Sequence, residues 1–378
     1  MKIVVAPDSF KGTMSAVEVA NIICETGKKE YQNLEFVSLP VGDGGEGTME
    51  CLIAACNGKK NSLMVEGPLG EQVEAHYGIL PDQTVIFEMA EASGLNLLRP
   101  EQYNPMKTST YGTGQLLQYA MKQGLSKMIL CIGGSATNDG GMGALQALGI
   151  KFFDQYQQEL RGCGENLIKI ESIDRSDFVM NNVDFQLTIL CDVVNPFTGE
   201  NGATMIYGPQ KGATSAMVQE LEAGMIHFQN LLSKTAGEDY FTLPGTGAAG
   251  GLGGALQVFC KGTLTSGIDA VLEQTGFEQL IQDADAVITG EGKVDHQTLN
   301  GKVVYGVLKR CKAQNVPVYV LAGTAGEGAS RLLEEGVAAM EFCSNSTFTI
   351  EKSLKYPKIA LVEATERILD KLNHSLQS

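Results

Sequence analysis

Short β-branched runs recur along this chain, each stopping at a proline or a glycine-rich polar loop and giving way to a helical segment. Lys2–Ala6 ends at Pro7, and the loop Asp8-Ser9-Phe10-Lys11-Gly12 follows it. The next helix starts at Ser15, where Ser15 and Glu18 have the spacing of a capping box. Leu34–Leu39 ends at Pro40; the loop Gly42-Asp43-Gly44-Gly45-Glu46-Gly47-Thr48 then leads into a helix through Cys56. Met128–Ile132 runs into the loop Gly133–Gly141 and a helix ending near Leu148. Ala286–Thr289 runs into the loop Gly290-Glu291-Gly292-Lys293-Val294-Asp295 and a helix from Asn300 to Ala313. Strands at 317–322 and 337–342 continue the alternation, and a last helix aligns Leu361, Ala364, Ile368 and Leu372 on one face. Strands that alternate with helices call for an α/β fold built on parallel sheet.

The chain has 378 residues, enough for two domains. From residue 62 the pattern changes: Met64–Glu91 has turn pairs between short strand-like runs, as in a meander. A helix over Gly114–Gln123, a strand over Leu187–Cys191 and a helix over Ser215–Lys234 follow. The expected architecture is a discontinuous flavodoxin/Rossmann-like parallel-sheet domain, 1–61 plus 265–378, with an inserted second α/β domain at 62–264. A flavodoxin-like order, 2-1-3-4-5, sets strand 286–289 beside the first strand. Ligands of open α/β sheets bind where the order reverses, outside the carboxyl ends of the strands. Asp8–Gly12 and Gly290–Asp295 are expected to meet there.

Net charge is −16, which argues against nucleic-acid or anionic-membrane partners. Nine cysteines without a CxxC pair suit a reducing compartment. The apolar N-terminal stretch is too short for a signal peptide, and no run reaches membrane-spanning length. The expectation is a soluble cytoplasmic protein; a homo-oligomer is compatible with it.

Several loops carry chemistry. Lys11 follows a strand and precedes a capped helix, where a lysine and backbone amides can receive an anion. Asp43 or Glu46 can hold Mg²⁺, while Gly44 and Gly45 allow phosphate approach. Gly133–Gly141 packs four glycines, Ser135, Thr137, Asn138 and Asp139 into nine positions, which suits nucleotide-phosphate or metal contacts. Cys191-Asp192 closes a strand, where a carboxylate in a partly apolar setting suits general-base work, or else an Asx-turn before Pro196. Gly245–Gly250 formally matches GxGxxG, but Asp239–Leu243 makes a poor preceding strand, so the match is weak as a Rossmann fingerprint. No Walker A, HExxH, EF-hand or GxSxG motif occurs, and no histidine-centred triad is suggested.

Six of these stretches, in this order, resemble the bacterial glycerate kinase type-1 family: Ala6–Gly12, Pro40–Thr48, Gly133–Gly141, Cys191–Pro196, Gly247–Gly254 and Thr289–Asp295. The resemblance runs from residue 1 to about 345. It implies ATP-dependent phosphorylation of D-glycerate, at the 2-hydroxyl, with the site in a cleft between two domains. Within that implied reaction the residue chemistry suggests roles. Asp8, Ser9, Lys11, Gly290, Glu291, Gly292 and Lys293 are substrate candidates, with Lys11 and Lys293 also catalytic. Gly44, Gly45, Gly133, Gly134, Ser135, Thr137, Asn138, Gly250 and Gly251 are nucleotide candidates, Gly247–Gly251 forming a second phosphate cradle. Asp43 and Asp139 are the Mg²⁺ candidates. Asp192 is the preferred base and Asp295 the alternative. Domain closure would exclude water. Three rivals stay open: a 3-phosphoglycerate-forming kinase, a non-catalytic hydroxy-acid-binding cleft protein, and a nicotinamide dehydrogenase resting on Gly245–Gly250.

Overall fold

The computed structural model describes residues 1–179, 184–236, 241, 243–299, 302–346 and 348–377. Its strands, in chain order, are β1 (Lys2–Pro7), β2 (Glu35–Ser38), β3 (Lys59–Glu66), β4 (Gln72–Ile79), β5 (Val85–Glu88), β6 (Lys127–Cys131) and β7 (Lys151–Phe153). They continue with β8 (Ser172–Asp174), β9 (Gln186–Leu190), β10 (Thr263–Thr265), β11 (Ala286–Val294), β12 (Val318–Ala325) and β13 (Ala339–Phe342). The chain divides into two compact units, one of Met1–Asp43, Glu50–Gly58 and Ser266–Ser378, the other of Gly44–Met49 and Lys59–Thr265.

The first unit holds a five-stranded parallel sheet in the order β13-β12-β11-β1-β2. Numbered within this unit, that is the flavodoxin-like order, and the direction of winding reverses between β1 and β11. β1 is buried on both faces from Ile3 to Ala6, as expected of an interior parallel strand. Ile3, Val5, Ile288 and Leu321 share one core cluster with Val19 and Ile23 of the helix Ala16–Glu30 and with Leu361, Ala364, Ile368 and Leu372 of the helix Pro357–Gln377. Full burial of each large side chain contributes about 1.5–3 kcal/mol. The Ala16–Glu30 helix begins on the expected capping box, with Ser15 Oγ accepting from Glu18 N and the Glu18 carboxylate accepting from Ser15 N.

One expectation about local structure fails here. Gly290–Val294 is not a loop: β11 continues through it, paired with β12 as far as Val294 opposite Ala325. β1 ends at Pro7, opposite Gly290, so beyond that point β11 keeps only its β12 neighbour. Glycine is required for this close pairing, since a Cβ on Gly290 would lie 1.8 Å from the Leu321 carbonyl oxygen. The helix that follows is described from Val303 to Ala313; the expected start at Asn300 lies outside the described residues.

The second unit holds a six-stranded mixed sheet in the order β10-β9-β6-β5-β4-β3. β3, β4 and β5 are antiparallel, the expected meander, and β5, β6, β9 and β10 are parallel. Phe87, Leu130, Ile189, Leu145, Phe228 and Leu256 share the core of this sheet. β7 and β8 form a separate antiparallel pair, with Phe152 packed into the same core.

Candidate active site

In the first unit the carboxyl ends of β1 and β11 open onto a cavity of about 250 Å³. Asp8 N donates to the Gly290 carbonyl at 2.8 Å, which brings the segment after β1 against the extension of β11. Asp8, Ser9, Lys11, Asp43, Glu291, Gly292 and Lys293 all line the cavity. The two stretches, nearly 280 residues apart in sequence, therefore share one site at the reversal of strand order. Phe10, Met14, Ile350, Leu354 and Pro357 supply an apolar wall.

Charge in this cavity is finely opposed. Asp8 is only 8% exposed, and burial pushes its carboxyl from 3.8 up to about 7, with further upward push from the Asp43 charge. The Ser9 amide, donating at 2.6 Å, works against that rise. Lys11 pairs with Asp43 at 3.5 Å, and chiefly that charge raises its pKa. Glu291 is buried; loss of solvent raises its pKa, against a 2.6 Å hydrogen bond from Thr298 Oγ1. Lys302, which precedes the helix Val303–Ala313, stands 3.9 Å from Glu291. Lys302 also lines the cavity, although the sequence reading did not single it out; its place just before a helix after a glycine-rich stretch was the available signal.

Lys293 is exposed and bonds Asp295 at 3.1 Å. The Gln297 amide and Lys293 hold Asp295 below the usual carboxylate range, which makes it a weak base. Asp192 follows the end of β9 in the second unit, as expected, but is exposed. Asp8 differs from both in being buried, with its carboxyl pushed up to about 7.

The nucleotide candidates gather in the second unit. A Cβ on Gly133 would come 3.1 Å from the Gly45 Cα, and Gly140 N donates to the Gly250 carbonyl at 2.9 Å. Gly250 has φ +66°, and a Cβ there would lie 2.1 Å from the Thr137 carbonyl oxygen. Gly245–Gly250 is thus no Rossmann turn: it enters the short turn Ala248–Gly251 and the helix Leu252–Cys260, packed against the Gly133–Gly141 loop. Glu88, buried, accepts from the amides of Gly47 and Met49, and burial raises it to about 7. Asp139 is wholly buried, and its carboxylate accepts from Thr110 N, Thr110 Oγ1, Gly141 N and Gly143 N. Those bonds make it a clasp of its own loop, with both oxygens engaged, and not a group open to a metal. Lys211, also missed in the sequence, is 2% exposed and reaches Ser135 Oγ and the Thr137 carbonyl.

The profile of the glycerate kinase family matches residues 3–373. This chain belongs to the glycerate kinase family. It is 42% identical over 356 residues to the glycerate 2-kinase of Escherichia coli K12, covering 94% of this chain and 93% of that protein. It is 41% identical over 367 residues to a glycerate kinase of Halalkalibacterium halodurans, covering 97% of each. A solved structure from Salmonella typhimurium LT2, provisionally assigned as glycerate kinase 2, matches with a TM-score of 0.89 at 38% identity over the full length of both chains. As a member of the glycerate kinase family the chain is a phosphotransferase with an alcohol group as acceptor.

Proposed function

We propose that the chain catalyses ATP-dependent phosphorylation of D-glycerate to 2-phospho-D-glycerate. The observation that carries this reading is family membership across nearly the whole chain, with the glycerate 2-kinase of Escherichia coli among the relatives. The cavity at β1 and β11 supports it chemically. A small anionic acid entering a protein of net charge −16 needs local cations, and Lys11, Lys293 and Lys302 line that cavity.

In the proposed reaction the substrate 2-hydroxyl oxygen bonds to the γ-phosphorus, the bond from that phosphorus to the β–γ bridging oxygen breaks, and ADP leaves. The hydroxyl proton passes to the Asp8 carboxylate. A carboxyl titrating near 7 is matched to proton abstraction at neutral pH. Lys11, Lys293 and Lys302 neutralise the substrate carboxylate and the transferred phosphoryl charge, the main task in such transfers. The loops Gly44–Gly45, Gly133–Asn138 and Gly250–Gly251 receive the nucleotide phosphates on backbone amides.

Mg²⁺ is implied by kinase chemistry. It is usually held by one or two carboxylates plus substrate phosphates, not by an all-protein cage. Among the described residues no group of three or more His, Cys, Asp or Glu forms such a cage. Asp43 fits the one-carboxylate mode: it faces the cavity, and its repulsion of Asp8 is what a dication there would relieve. The ion would neutralise phosphate charge.

The test is ³¹P NMR of the product made from ATP and D-glycerate, with a parallel reaction in chelator. A 3-phosphate signal would favour the alternative regiochemistry; turnover in chelator would remove the metal from the proposal.

A further inference from the structure

Lys211 is the one buried lysine of the second unit whose bonds are described, and the mechanism above does not use it. It sits in the turn Pro209–Lys211, next to Gly212 at φ +94°, a sequence pattern that ordinarily marks an exposed surface turn. Its ammonium instead points inward, donating to Ser135 Oγ at 2.8 Å and to the Thr137 carbonyl at 2.6 Å. Burial pushes its pKa down to about 7, and the Asp139 charge works against that fall. Burying an ammonium is costly unless it is paired and hydrogen-bonded, so its retention here calls for a return in order.

The bonds fall on one segment. Leu95 N donates to the Gly134 carbonyl, Ala136 N to the Ser93 carbonyl, and Thr108 Oγ1 to the Ala136 carbonyl. Lys211 adds the Thr137 carbonyl and the Ser135 hydroxyl. Three carbonyls of Gly134–Thr137 are thereby held from behind, while Gly134 itself is exposed in a left-handed conformation, φ +73°. Thr137 Oγ1 and Asn138 Oδ1 are buried and find no hydrogen-bond partner among the described residues. The Ala136 amide is spent on the Ser93 carbonyl, so an anion-receiving nest on this segment would be built from the amides around the exposed Gly134.

We propose that Lys211 is a positioning residue for the phosphoryl donor: it ties the Ser135 side chain and the Thr137 carbonyl back so that the Gly133–Gly134 amides face the nucleotide phosphates. The inference rests on the reading of this loop as a nucleotide site. Lys211→Met keeps the chain length and removes the donors. It raises KM for ATP by about tenfold or more, leaves KM for D-glycerate within about twofold, and shifts Tm by no more than a few degrees. Equal losses for both substrates, or unchanged KM for ATP, overturns the proposal; should the methionine variant not fold, Lys211→Gln carries the same comparison. Gly134→Ala separates the two layers. If it leaves KM for ATP unchanged, the loop reading itself fails; if it raises KM for ATP while Lys211→Met does not, only the role of Lys211 fails.

Discussion

Asp8→Asn should make the enzyme more stable and far less active, and the size of each effect follows from the cavity. Burial, then the Asp43 charge, carries the Asp8 carboxyl from 3.8 to about 7. At 1.36 kcal/mol per tenfold change in proton affinity, that rise is about 4 kcal/mol of preference for the protonated form in the fold. The sign follows from linkage. A carboxyl raised on folding gives stability that is complete below about 3.8 and lost as pH rises through about 7. At pH 8 the wild type bears the whole cost of an ionised Asp8; asparagine bears none, and its oxygen can still accept from Ser9 N. Allowing about half for relaxation leaves roughly 2 kcal/mol, or about 4–8 °C in Tm for a unit of this size. At pH 4 the difference should shrink towards zero. Activity should move the other way, with kcat down by about 10²–10⁴ for loss of a general base. Differential scanning calorimetry at pH 4 and pH 8, beside initial rates, reads both. In metal-free protein Asp43→Asn should move the Asp8 titration to lower pH, because the Asp43 charge is one cause of its rise. A variant less stable than wild type at pH 8, or one retaining most of its kcat, would refute the argument.

Other perturbations test the remaining parts. Lys293→Ala should lower kcat/KM for D-glycerate by about 10²-fold, a few kcal/mol of transition-state binding; near wild-type kinetics would take Lys293 out of the site. Asp139→Ala removes the acceptor for Thr110, Gly141 and Gly143 in a fully buried position, so denaturant unfolding should show a loss of about 3 kcal/mol or more. Little change in stability there would contradict its role as a clasp.

Much of this fold is readable in the chain because its signals are local. Lys2–Pro7 and Ala286–Thr289 are continuous apolar runs, so their burial as neighbouring parallel strands follows from composition and length. Ser15 and Glu18 announce the helix they cap. Gly290–Val294 misleads because glycine and charge are the marks of a loop; only pairing with β12, thirty residues on, makes it strand. The polar density of Gly133–Gly141 is real, yet sequence cannot tell a carboxylate that meets a ligand from one that, like Asp139, accepts four bonds from its own surroundings. Asp8 and Lys211 owe their character to tertiary burial. Asp8 depends on Asp43 and Glu291, and Lys211 on residues 74 and 76 positions away. Nothing near either in sequence carries that information.

The product identifies the reaction. Purified protein with ATP, Mg²⁺ and D-glycerate should release ADP and give one new ³¹P monoester signal that matches authentic 2-phospho-D-glycerate. A signal matching 3-phospho-D-glycerate, or no ADP release dependent on glycerate, would contradict the account.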